Sequence, residues 1–164
     1  MRAKKPMNHK IRKRIAEYRK TQMDISDLIR DYSIKGEDLS NCLISDLQVA
    51  GEDISDCNFT GSKVMIKAQK CIARNCRFVR TIFLNGSSFR AADLRQSNFY
   101  HADGGHTDYA YSDLRGANIC GVVFSFASKL GHKAKVSDNI IDMLKKWWDI
   151  VPSSLPMQSE RVED

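Results

Sequence analysis

No stretch of these 164 residues approaches the ~20 consecutive apolar residues of a membrane-crossing helix. No secretory apolar segment follows the charged N-terminus either. The expectation is a chain made and kept in a reducing cytoplasm. Also missing are a glycine-rich nucleotide loop, a nucleophile elbow and a metal-binding helix motif. The histidines, His9, His101, His106 and His132, are scattered. His101 and His106 stand near Asp103 and Asp108, but a catalytic dyad needs a buried orienting partner and a pocket. Cys71 and Cys76 are five apart, outside zinc-ligand spacing. The sequence therefore predicts no enzyme, no metal and no cofactor.

What is there is an ordinary globular composition, 42% hydrophobic and 28% charged, with an uneven distribution of charge. Residues 1–36 carry eleven Lys/Arg against four Asp/Glu. Residues 37–56 carry six acids and no bases, residues 63–95 eight bases and one acid, and residues 96–126 three acids and one base. The chain is banded negative, positive and weakly negative behind a basic arm.

The strongest signal is a five-residue period. Phe89, Leu94, Phe99, Tyr109, Leu114, Ile119 and Phe124 fall on one grid, with Gly104 at the only vacant node. Two places before the nodes stand small residues, from Ser87 and Ala92 to Ser112 and Ala117; one place before stand mostly Asp or Asn. The grid extends back through Phe59, Ile54, Val49, Ile44 and Leu39 to Ile34, nineteen centres in all. It slips by one residue between Met65 and Asn85, and an extra residue near Gly86 restores it. A period of five suits neither a helix nor an alternating strand. It requires a bend in every unit, with the small and large residues both facing inward and Asp or Asn suited to the bend.

Units such as Ala92-Asp93-Leu94-Arg95-Gln96 and Ser112-Asp113-Leu114-Arg115-Gly116 resemble the repeat of the pentapeptide-repeat family over residues 32–126. The resemblance implies an all-β solenoid, a right-handed quadrilateral β-helix of about four to five coils with flanking α-helices. Every fourth centre then stacks. One side reads Leu39, Phe59, Phe78, Phe99, Ile119; the second Ile44, Val64, Phe83, Gly104, Phe124; the third Ile34, Val49, Ala68, Phe89, Tyr109; the fourth Ile54, Ala73, Leu94, Leu114. Leu47 and Ile66 put bulk at small positions, offset by the smaller Val49 and Ala68. At Gly104-Gly105 a missing side chain is filled by a neighbouring phenylalanine, or else marks a pocket or a bulge. Cys42, Cys57, Cys71 and Cys76 occupy inward small positions and read as buried hydrophobes. Cys57 and Cys76 stack on adjacent coils within reach of a disulfide, but free thiols are expected in a reducing compartment.

The flanks lie outside the motif. Residues 8–20 read as a helix capped by Asn8, with Ile11, Ile15 and Tyr18 on one stripe. A second helix, about Asp24–Tyr32, is expected to cap the first coil. The whole of 1–31 forms an arm and cap. Residues 127–151 form a linker and a helix capped by Ser137, whose Ile140, Ile141, Leu144, Trp147, Trp148 and Val151 cover the last coil or form a homodimer; residues 152–164 are a disordered tail.

Three surfaces are candidates for function: the arm (Lys10, Arg12, Lys13, Arg14, Arg19, Lys20), the mid-rod band (Lys63, Lys67, Lys70, Arg74, Arg77, Arg80, continuing to Arg90 and Arg95) and the C-terminal helix. The leading expectation is a protein-binding or scaffold module, a component of a larger assembly such as a viral particle included. Relatives in the family that mimic DNA bind gyrase and other type II topoisomerases, which is the alternative; the banded charge argues against it. A third reading is nucleic-acid or acidic-surface binding through the arm.

Overall fold

A computed structural model of the chain describes residues 4–124 and 134–138. Strand β1 (Lys5–Pro6) leads into helix α1 (His9–Thr21) and the single turn α2 (Ser26–Ile29); β2 (Tyr32–Ser33) follows. A parallel sheet of β3 (Leu43–Gln48), β4 (Lys63–Lys67), β5 (Ile82–Phe83), β6 (Asp103–Gly105) and β7 (Val123–Phe124) then stacks in chain order. Isolated parallel bridges tie the remaining sides, among them Asn58 to Arg77, Arg77 to Asn98 and Asn98 to Asn118.

These bridges join residues four units apart, so each turn of the chain has four sides. The offset also records the slip in the grid. Asp38 pairs with Asn58, twenty apart, Lys63 pairs with Ile82, nineteen apart, and Lys67 pairs with Ser88, twenty-one apart. Between Leu39 and Phe124 the length changes fall at the corner after the second side. The links there are Ser45-Asp46 between Ile44 and Leu47, Met65 alone between Val64 and Ile66, and Leu84-Asn85-Gly86 between Phe83 and Ser87. A register shift separates Ile44 from Leu47, and another lies between Asp103 and Gly105, so the glycine pair is a bulge in the ladder.

Both inward positions are buried as the grid predicts: Phe59, Phe78, Phe89, Ile54 and Leu94 are fully inaccessible, and Cys57, Ala73 and Cys76 with them. Phe78 lies between Phe59 and Phe99, with ring centroids 5.2 and 4.7 Å away and nearly parallel planes. Phe83 and Phe89 meet it at 5.5 and 5.4 Å. One stacking assignment is corrected. Ile34 belongs beneath Ile54 on the fourth side rather than beneath Val49, because Cys57 Sγ donates to the Ile34 carbonyl as Ser62 Oγ does to Leu39.

The bend is also placed differently from expectation. On the first, third and fourth sides it comes two residues after the centre, where φ is positive in Asn41, Asp56, Lys70, Arg80, Gln96 and His101 as well as in Gly36, Gly51, Gly61, Gly116 and Gly121. The next small residue donates back to the centre's carbonyl, as Thr81 N to Phe78 O at 3.1 Å. Such a turn with its third residue left-handed is of type II. The Asp or Asn before each centre instead accepts the N–H two residues on: Asp53 from Ser55, Asn58 from Thr60, Asp93 from Arg95.

At the N-terminus α1 fulfils its expectation. Asn8 accepts from Ile11 N at 3.0 Å, and Ile11 and Ile15 are buried. The second helix is shorter than expected. Asp24 takes hydrogen bonds from Ser26 and Ser45 and bridges to Leu43, while β2 pairs in parallel with β1. At the other end Lys135 adds a rung beyond Leu114, with Ala134 and Val136 buried beside it. The sequence alone places that stretch in the linker of residues 127–151.

Candidate functional site

The basic arm lies against the acidic first coil of its own chain. Arg12 forks onto Glu37 with contacts of 2.6 and 2.9 Å. Arg19 donates to the Asp38 carbonyl at 2.9 Å and meets its carboxylate at 3.4 Å, and Lys4 reaches Glu52 at 2.9 Å. Four of the six acids of the run 37–56, Glu37, Asp38, Glu52 and Asp53, are thus paired by Arg12, Arg19, Lys4 and Lys35 of the basic run before it. Arg14 bonds the Tyr18 hydroxyl and lies over its ring. Lys10, Lys13 and Lys20 stand exposed, with no ion pair among the described residues.

The mid-rod band is spread around all four sides. Arg74 and Arg95 stand just after centres on the fourth side, level with Lys35 and Arg115, facing a row of Asp53, Asp93 and Asp113. Arg95 forks onto Asp93 at 2.8 and 2.9 Å, and Arg74 joins the same carboxylate from the coil below at 2.6 Å. Arg115 forks onto Asp113, and Lys35 pairs with Asp53. Hydrogen bonds from Arg95, against the cost of burial and with help from Arg74, hold the Asp93 carboxyl far below its ordinary range. Burial alone would raise Asp113, but the hydrogen bonds from Arg115 lower it. On the third side Arg90 lies 3.7 Å from Asp108 and over the Tyr111 ring, and Lys67 donates to the Gly86 carbonyl.

Lys63, Lys70, Arg77 and Arg80 are different: all are exposed, and none has a carboxylate partner among the described residues. Three of them, Lys63, Arg77 and Arg80, border the edge between the first and second sides. Exposed apolar side chains share that edge: Ile82 at 39%, Tyr100 at 39% and Val123 at 62%. Neither these apolar residues nor the division of the cations into paired and unpaired was legible from the band; a count of outward apolar residues by side would have pointed to the former.

The cysteines do more than fill space. Cys57 Sγ donates to Ile34 O and Cys76 Sγ to Ile54 O, the role that Ser62, Thr81 and Ser97 hydroxyls play elsewhere. Both thiols are free. The neighbouring Cys76 and burial hold the Cys57 thiol far above its ordinary range, and burial pushes Cys71 up to about 12. Among the described residues no group of three His, Cys, Asp or Glu is placed to hold a metal, and no helix is long and apolar enough to cross a membrane. Ile140, Ile141, Leu144, Trp147, Trp148 and Val151 lie outside the described residues.

No family model and no curated protein matches the chain. Solved structures do. The pentapeptide repeat protein Rfr23 of the cyanobacterium Cyanothece 51142 is 12% identical over 57% of this chain and 60% of its own, with a TM-score of 0.36. A pentapeptide repeat protein of the Arabidopsis thaliana thylakoid lumen is 23% identical over 60% and 77%, with a TM-score of 0.38. QnrB1, a plasmid-mediated fluoroquinolone resistance protein, is 15% identical over 73% and 91%, with a TM-score of 0.25. The chain thus spans less than two thirds of the length of Rfr23. What it carries itself is a tandem unit of small residue, Asp or Asn and large apolar residue, wound in parallel with four units to the turn. By that repeat the chain resembles the pentapeptide-repeat proteins.

Proposed function

We propose that this protein is a non-enzymatic protein-binding or scaffold module, a right-handed quadrilateral β-helix of four to five coils that offers its outer surface to a protein partner. The observation that supports the reading is the contrast between interior and surface. The interior is filled by the chain's own stacked rings and hydrogen-bonded small residues, while exposed apolar side chains and cations with no carboxylate partner among the described residues share one edge. A place in a larger assembly, a viral particle included, suits such a rod.

The test is capture of partners from native lysate on the intact chain. A partner retained by the wild type and lost when surface residues are reversed supports the reading; no specific partner from any lysate sinks it. The arm should be probed by Lys10→Glu, Lys13→Glu and Lys20→Glu together. Deleting it would also remove the buried Met7, Ile11 and Ile15 and uncover the first coil.

The DNA-mimic reading requires a strongly negative rod. Here the acidic coil is covered by Arg12, Arg19 and Lys4, and the next two coils are basic. A gyrase supercoiling assay separates the two readings, with potent inhibition by the isolated protein favouring mimicry.

A further inference from the structure

We propose that the edge between the first and second sides docks a segment of a partner protein that carries both carboxylates and apolar side chains. This rests on the reading of the chain as a protein-binding module and names the surface and the chemistry of its partner. The pairing of charges carries it. Arg74, Arg95 and Arg115 on the fourth side and Arg90 on the third all reach carboxylates of the chain itself. Lys63, Arg77 and Arg80 are exposed and have none among the described residues. A guanidinium is at its best against a planar, bidentate acceptor, and two here lack one.

The same edge is apolar. Lys63 pairs in register with Ile82, Ile82 with Asp103, and Asp103 with Val123. Arg80 N donates to Tyr100 O at 2.9 Å. Lys63 and Arg80 therefore adjoin Ile82 and Tyr100, Arg77 bridges to Asn98 two residues before Tyr100, and Val123 continues the row; Ile82, Tyr100 and Val123 are all well exposed. From Lys63 to Val123 is three rung spacings, about 14 Å, which four or five extended residues cover. Asp103 is the one acid in this row, and its carboxylate caps Gly105 N at 3.0 Å. A phosphate backbone would satisfy the cations and leave Ile82 and Val123 bare. A chain alternating acidic and apolar residues satisfies both, because interface cores favour apolar and aromatic contacts while charges fix register and orientation.

The experiment pans a 12-residue peptide display library against the intact chain and measures enriched peptides by fluorescence anisotropy on three proteins. These are the wild type, Arg77→Glu/Arg80→Glu, and a control of equal charge change at exposed lysines outside the candidate surfaces, Lys5→Glu/Lys135→Glu. Melting curves establish that each is folded. Enriched peptides should combine Asp or Glu with aliphatic or aromatic residues, bind the edge variant about tenfold or more weakly, and bind the control like the wild type. The proposal is overturned by any of four results: no enrichment, enriched peptides without acids, indifference to the edge variant, or equal loss in the control. It is also overturned if a 20-nucleotide single-stranded DNA binds more tightly than the best peptide with the same dependence on Arg77 and Arg80. A lysate partner held equally by wild type and edge variant would overturn this edge and leave the scaffold reading standing.

Discussion

The first and fourth sides of the coil are built from the same unit and use the position before the centre in opposite ways. On the fourth side it holds Asp53, Asp93 and Asp113, each capping the N–H two residues on. On the first side it holds Asn58, Asn98 and Asn118, which cap Thr60, Tyr100 and Cys120 with the same geometry. What the fold needs there is an acceptor oxygen; the charge is a separate choice. The fourth side makes that choice and neutralises it with Lys35, Arg74, Arg95 and Arg115. Beyond Asp38, which meets Arg19 at the foot of the rod, the first side declines it and leaves Arg77 without a carboxylate partner among the described residues. Similar backbones thus give one side whose charges are paired within the chain and one whose Arg77 has no carboxylate partner among the described residues.

Both sides rest on the same core, so the largest expected effect ignores the distinction. Phe78→Ala removes a ring that contacts Phe59, Phe83, Phe89 and Phe99. It should destabilise the chain by about 3–5 kcal/mol in urea unfolding. A loss below about 1 kcal/mol would mean that the coils repack and that neither surface is rigid.

The next effect belongs to the fourth side alone. Asp93→Ala removes the acceptor for Arg95 N together with the contacts to Arg74 and Arg95. After discounting for solvent at a site 20% exposed, the expected loss is about 1 kcal/mol. Asp93→Asn keeps the acceptor and should cost less. Because the Asp93 carboxyl is held below its ordinary value, its contribution is complete above the ordinary carboxylate pKa of about 3.9 and is lost as pH falls. Melting temperature followed downward from pH 7 should therefore fall less steeply in Asp93→Asn than in wild type. Parallel curves would show that the ladder contributes no charge-dependent stability.

The sequence makes the centres legible because a large apolar residue every five places has no other physical use than an inward face. The bends are hidden: Lys70, Arg80, Ala91, Gln96, His101 and Tyr111 all take positive φ, and nothing in those residue types announces it. The position is imposed by closure of the coil and by the hydrogen bond across each turn. Helix α1 was legible from Asn8, Ile11 and Ile15, but that its excess charge answers Glu37 and Asp38 required the two to be brought together in space. The rung at Ala134-Lys135-Val136 follows the small–polar–apolar pattern, yet Lys135 bridges to Asp113, twenty-two residues away, so a grid of twenty passes over it. Which cations on the rod are paired depends on coil-to-coil neighbours, a relation absent from any one unit.

The smallest effects test the comparison most directly. Arg77→Glu/Arg80→Glu should change folding stability by less than about 0.5 kcal/mol, since neither residue has an ion pair among the described residues. Asn98→Asp should convert the first side locally into the fourth. Asn98 bridges to Arg77 and caps Tyr100 N at 2.9 Å, so the carboxylate would keep the cap and add a counter-charge. A gain of a few tenths of a kcal/mol is expected, larger at low salt and absent when Arg77 is replaced by Gln. If Asn98→Asp destabilises the chain regardless of Arg77, the amide is itself required on this side, and charge at that position is not a free choice of the fold.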